Sequence, residues 1–226
     1  MNAPTMRLST LLAEAKELRR GIGPVLSSTL AGLRCARDAW YRVDGQTTPP
    51  QAFPLLAKAY DQVIEHLGHH SDLNVLTHRS IEIPIGFLEV EGVADAVFFD
   101  SEGTALVSRL HVLPDEQWKA GKAGALEEHR AEANLLAWGF EARRWSVCYI
   151  HANTGEIVEH SDATDAFTAR RDLGLIEEVA YWMGAGVPPP RPFEDFEKDD
   201  GTIKLAVEHE PCRSCPSRAV CWPANA

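Results

Sequence analysis

Three of the five cysteines, Cys212, Cys215 and Cys221, are spaced C-x2-C-x5-C in a short tail rich in Pro and Arg, while Cys35 and Cys148 stand far upstream. Any fold must account for that tail. Close thiols in a reducing compartment are more often ligands to zinc or iron than halves of disulfides. Three clustered ligands leave one place to fill, and Cys35 is the candidate for it. Cys148 alternates with Val147 and Tyr149 in an apolar run and reads as a small buried apolar residue. Met1 to Arg7 carry no apolar signal segment, and no apolar run approaches the roughly 20 residues of a membrane span, so the expected compartment is cytoplasmic, with no membrane partner.

The remaining pattern is that of an ordinary globular chain: 226 residues, 45% apolar and 24% charged, which argues against disorder or a disulfide scaffold. Leu8, Leu11, Leu12, Ala15 and Leu18 predict a first helix. A second is expected from Ser27 and Ser28 through Leu30, Leu33, Cys35 and Trp40 to Asp44, and a third over Leu55 to Leu67. The period then changes to two over Ile81 to Phe87, Val93 to Phe99 and Thr104 to Leu113, with a hairpin turn at Asp100 to Gly103. Pro114 to Gly124 reads as a polar loop, Ala125 to Phe140 as a helix, Arg144 to His151 and Glu156 to His160 as strands, and Ala163 to Met183 as a long helix. The order implies an α/β fold. Three segments follow: 1–48, N-terminal and helical, 49–185, the core, and 186–226, a Pro-rich connector and cysteine tail, together one compact unit.

Charge is uneven. The net value of −11 excludes a general basic coat for nucleic acid. Yet residues 1–48 hold seven Lys/Arg against four acids, and residues 212–226 hold two Arg and no acid. Any electropositive surface is expected where the termini meet.

The segment Ser27-Ser28-Thr29-Leu30-x3-Arg34-Cys35-Ala36-Arg37-x2-Trp40-Tyr41-Arg42, with the C-terminal C-x2-C-x5-C, resembles the iron–sulfur members of the RecB-like PD-(D/E)XK nucleases: the CRISPR-associated Cas-four exonucleases, their phage relatives and the AddB-type helicase-nucleases. The resemblance implies a restriction-endonuclease-like core, a mixed sheet flanked by helices, whose ends are clasped by a 4Fe-4S cluster on Cys35, Cys212, Cys215 and Cys221. Closing so long a loop would tie down a tail with little apolar surface of its own. It would also gather Arg34, Arg37, Arg42, Arg213 and Arg218 where a DNA backbone could lie.

That family holds Mg2+ or Mn2+ on G-x-x-D, then D/E-x-K, then a helix bearing Gln and Tyr. Gly92-Val93-Ala94-Asp95 matches the first element. The strand Thr104 to Val112 contains neither carboxylate nor lysine. A regular hairpin sets Asp95 opposite Ser108, with Ser108 and Leu110 in the acid and lysine places; a shift of one residue sets Arg109 and His111 there instead. On the helix, Glu132 stands at the Gln and Leu136 at the Tyr. His66, His69, His70 and His78 read as a solvated helix end, and Glu194 to Asp200 as a solvated acidic loop.

The resemblance therefore implies a Cas-four-like 4Fe-4S protein of DNA processing, or of phage or mobile-element biology, with a decayed nuclease centre around Asp95 and Glu132. Its partners would be DNA or a protein of a DNA-processing complex. One alternative is an active Mg2+- or Mn2+-dependent DNA exonuclease, with Asp95 joined by Glu65, Glu82, Glu132 or Asp100. Another is a structural protein stapled by its metal centre.

Overall fold

The computed structural model describes residues 26–33, 35–44, 74–85, 88–191, 196–197, 203–204 and 212–222. The helices expected over Leu8–Leu18 and Leu55–Leu67 lie outside these residues, as do Arg34, Glu65, His66, His69 and His70.

The alternating segments form one mixed sheet: β1 (Leu26–Ser27), β2 (Val75–Ile85), β3 (Leu88–Asp100), β4 (Gly103–Leu113), β5 (Arg144–His151) and β6 (Ile157–Ala163). Strands β2, β3 and β4 run antiparallel in series, β5 lies parallel to β4, and β6 returns antiparallel on β5. Beyond the edge held by β2, strand β3 has a divided far edge. Parallel β1 takes Val90 and Glu91, and β4 takes Ala96 to Asp100. Between those stretches β3 stays paired with β2 but has no strand partner on this edge, and Asp95 lies there.

Between Ser28–Leu30, a 3-10 turn capped by Ser27, and helix α1 (Ala36–Val43) runs a short extended link. The expected continuous helix from Ser27 is thus two pieces. Cys35 is not helical; it is the N-cap of α1, with φ −147° and ψ 119°. Pro114 to Gly124, expected as a loop, contains helix α2 (Asp115–Ala123), for which Pro114 is the N-cap and Asp115 and Glu116 form an acidic first turn. Acidic residues there suit the positive end of the helix dipole. Gly121 lets α2 sit down on the sheet, since a Cβ would stand 2.3 Å from a Leu113 methyl.

Helix α3 (Glu127–Gly139) lies across one face of the sheet, and α4 (Ala166–Ala185) and α1 pack behind it. Seven consecutive α3 residues, Ala131 to Ala137, are buried, because the helix is covered on both sides. A helix so enclosed must be apolar or have its polar groups partnered. Asn134 meets that demand: its amide nitrogen donates to the Asp165 carbonyl at 2.9 Å and its oxygen accepts from the Asp165 amide at 2.8 Å. Asp165 in turn caps α4 through Phe167 N and Thr168 N. Leu135 and Leu136 are fully buried on opposite sides, in the cores facing α4 and the sheet respectively. Truncating either to Ala would cost about 2–5 kcal/mol.

The tail forms a two-stranded ladder, β7 (Phe196–Glu197) with β8 (Ile203–Lys204), then a 3-10 turn at Cys212–Ser214 and a short helix α5 (Arg218–Cys221). Its apolar anchorage exceeds the expectation. Cys221 and Trp222 are buried in the same core as Leu26, Trp40 and Ile176.

Candidate functional site

Two polar regions border α3, one at its N-terminus and one along the face it turns to the sheet. At its N-terminus, Cys35, Cys212, Cys215 and Cys221 all line one cavity of about 450 Å³. Cys212 and Cys221 are buried, and Cys35 and Cys215 half-buried. The opposite wall is the first turn of α3 (Glu127, Glu128, His129) with Gln117, Leu126 and Trp222. Burial pushes the Cys35 thiol up, and it pushes Cys215 up to about 12, with the nearby Asp38 carboxylate adding to the effect. Among the described residues, no three His, Cys, Asp or Glu side chains are grouped closely enough to chelate a single ion. The ligands of one zinc, each ~2.3 Å from the metal, must crowd together. Those of an iron–sulfur cluster would stand around a larger body. Cys148 lies elsewhere, half-buried on β5, its thiol pushed up to about 11 by burial and by Glu159.

Side chains that sequence reasoning missed hold this region together. Asp38 is buried in the first turn of α1, accepts from Ser217 Oγ at 2.5 Å and pairs with Arg42 at 3.1 Å. Arg42 also reaches Glu128 on α3 at 3.5 Å. Arg191 sits 4.1 Å above the Trp222 ring and donates to the Cys221 carbonyl at 2.7 Å. The polar spacing of Asp38 and Ser217 gives no hint of their pairing, because 179 positions separate them.

The second region lies between α3 and the sheet. Next to the turn, Phe99↔Thr104 and Asp100↔Gly103 follow the regular hairpin, but the register shifts between Phe98 and Phe99, and Ala96 then faces Ser108. This bulge corrects the expectation that set Asp95 opposite Ser108. The alternative register, with Arg109 and His111 at the acid and lysine places, is the one found. Past Ala96 side chains replace the ladder: Asp95 Oδ2 accepts from Leu110 N at 2.9 Å, and Arg109 Nη1 donates to the Val93 carbonyl at 2.7 Å.

Asp95 and Glu132 do converge, and what they converge on is Arg109. Its guanidinium lies 2.9 Å from Asp95 Oδ2 and 3.2 Å from Glu132 Oε1. Both carboxylates are buried, at 6% and 5% exposure, and a cation between them offsets the cost of keeping them ionised there. Ser28 Oγ adds a hydrogen bond to Glu132 at 3.3 Å. Burial raises the Glu132 pKa, and Arg109 opposes that shift. Gly92, the glycine of G-x-x-D, is required by this closeness: a Cβ would stand 2.4 Å from a Leu136 methyl and 2.9 Å from Ser28 Oγ.

His111 continues the polar layer. Its ring stacks on His129 at 3.7 Å between centroids, and His129 Nδ1 meets the Tyr149 hydroxyl at 3.2 Å. Burial and the neighbouring cations depress His111 to about 2 and His129 to about 4, so both rings are neutral at physiological pH. A neutral imidazole there lacks the permanent positive charge of a lysine.

The other candidate residues are dispersed. Glu82 is exposed on β2 opposite Glu91, and Asp100 is bound to Arg143 and the Glu102 amide; neither joins Asp95. His78 is exposed with φ 49°. Of the arginines, Arg42 and Arg218 line the cysteine cavity, and Arg213 is exposed on its turn. Arg37 is spent on the Pro189 carbonyl at 2.6 Å and the Tyr41 hydroxyl at 3.1 Å. No helix among the described residues is long and apolar enough to cross a membrane.

No model of a known protein family matches the sequence, and no curated protein matches it. Solved structures do match in shape. SSO0001 aligns with a TM-score of 0.53 at 16% identity, over 96% of this chain and 97% of that one. LHK-Exo, an alkaline exonuclease from Laribacter hongkongensis, aligns at 0.52 and 9% identity, over 76% and 93%. Its complex with dAMP aligns at 0.50 and 10% identity, over 73% and 90%. At such identities the likeness is one of fold: a mixed sheet flanked by helices, similar to that of the exonuclease LHK-Exo.

Proposed function

We propose that this chain is a Cas-four-like iron–sulfur protein of DNA processing or mobile-element biology that engages DNA, or a protein bound to DNA, without hydrolysing it. The observation that carries the second half is the Arg109 guanidinium between Asp95 and Glu132. Hydrolysis by this type of fold needs a divalent cation held by carboxylates to polarise the phosphate and generate hydroxide. An arginine tethered to β4 balances the charge, but it binds no water to activate and stays protonated. The first half rests on the four cysteines around one cavity. They would hold a 4Fe-4S cluster, whose contribution is to clasp the tail to the body of the fold.

The test has two arms. Protein purified without air should be brown, with about four iron atoms per chain; colourless protein with one zinc overturns the cluster assignment. Labelled single- and double-stranded DNA with Mg2+ or Mn2+ should remain uncut. Metal-dependent cleavage that disappears in Asp95→Ala overturns the non-hydrolytic reading. DNA engagement is measured by filter binding across a salt series, where backbone contacts weaken steeply.

A further inference from the structure

We propose that Asp38 is a positioning residue that seats the Cys212–Cys215 turn against α1 before and independently of any inorganic centre. The inference deepens the proposed function, since that turn carries two of the four proposed ligands.

The geometry is specific. Cys35 is the N-cap of α1 and Asp38 stands three positions on in its first turn, so both belong to the same helix end. On the tail, Cys215 and Ser217 are two positions apart in the turn preceding α5. The Ser217 hydroxyl, 1% exposed, donates to Asp38 Oδ1 at 2.5 Å, and Arg42 takes Oδ2 at 3.1 Å. Arg42 then leads to Glu128 at 3.5 Å, which joins the tail, α1 and α3 in one chain of contacts.

A carboxylate beside cysteines opposes the thiolate form, so Asp38 is badly placed to activate the ligands. It is well placed to hold them. A buried hydrogen bond to a charged acceptor is among the stronger kinds, and breaking it leaves a buried anion short of a partner. Downstream, Trp222 and Arg191 fix the end of α5. Within the turn itself Cys215 N donates to the Cys212 carbonyl at 3.3 Å and Arg218 N to the Cys215 carbonyl at 3.1 Å.

The experiment is amide hydrogen exchange on the full chain, as purified and after chelation under reducing conditions, for wild type, Asp38→Ala, Asp38→Asn and Ser217→Ala. Metal-free wild type should keep the Cys215, Arg218 and Cys221 amides protected. Asp38→Ala and Ser217→Ala should exchange there roughly 10- to 100-fold faster, with the sheet unchanged as the control for folding. Asp38→Asn, which still accepts from Ser217, should stay nearer to wild type. The proposal is overturned if metal-free wild type exchanges as fast as Asp38→Ala, or if both alanine variants remain protected. Iron-free protein at purification counts against the cluster alone and leaves this test readable.

Discussion

The cysteine cavity and the carboxylate pair are built from the same two neighbours, the N-terminal segment 26–44 and helix α3, yet they meet the problem of buried ligands in opposite ways. Around the cavity four thiols line open space of about 450 Å³. Between Asp95 and Glu132 the space is filled by a side chain of the protein itself, and the charge is balanced within the polypeptide. The contrast teaches that retaining acidic residues is not retaining a metal site. A pair of carboxylates in a low-dielectric setting must take up a proton or be given a cation, and whether that cation is bound or built in decides between chemistry and architecture.

Four perturbations press on this contrast. The largest effect is expected from Cys35→Ala, which removes the one proposed cluster ligand from outside the tail; iron analysis and visible absorbance should fall to a small fraction of wild type. On the other side, Arg109→Ala leaves two buried carboxylates facing each other and should cost about 3–5 kcal/mol in urea unfolding at pH 7. Adding Asp95→Asn and Glu132→Gln should recover much of that loss, and no recovery would mean that Arg109 acts through packing instead.

The third test uses acid. His111 and His129 titrate at about 2 and about 4 in the folded chain, below the usual 6.5. The unfolded chain therefore binds more protons between those values, and stability is full above pH 6.5 and lost as the pH falls below it. Near pH 5 the loss should be about 1.4 kcal/mol per pH unit for each histidine, and His111→Phe should remove one such contribution from the slope. The smallest effect is Gly92→Ala, about 1–3 kcal/mol from overpacking against Leu136 and Ser28. Thermal unfolding at fixed pH measures it.

Much of the fold was legible in the sequence because alternation along β2 to β5 and the apolar stripe of α4 are local signals. Spacing alone singles out the three tail cysteines, the resemblance adds Cys35, and all four line one cavity. What was not legible depends on tertiary partners. The extra residue near Ala105 that turns Arg109 toward Asp95 is a bulge, and nothing in Thr104 to Val112 marks it. Helix α2 was hidden because its stretch, with Gly121 and Gly124, is polar and short; it forms by packing on Leu113 and Tyr149. Cys35 was placed on a helix because Ser28 to Trp40 is apolar at helical spacing, whereas Gly32, at φ 75°, breaks the run so that Ala131 can approach. Asp38 and Ser217 are distant in sequence and gave no signal at all.

The divided edge of β3 has a mechanical corollary. Strand β1 is only two residues long, and the next side chain, Ser28, rests on Glu132 and beneath Gly92. A displacement of β1 therefore arrives at the guanidinium through Ser28 and Glu132 alone, with no lever arm in which to dissipate.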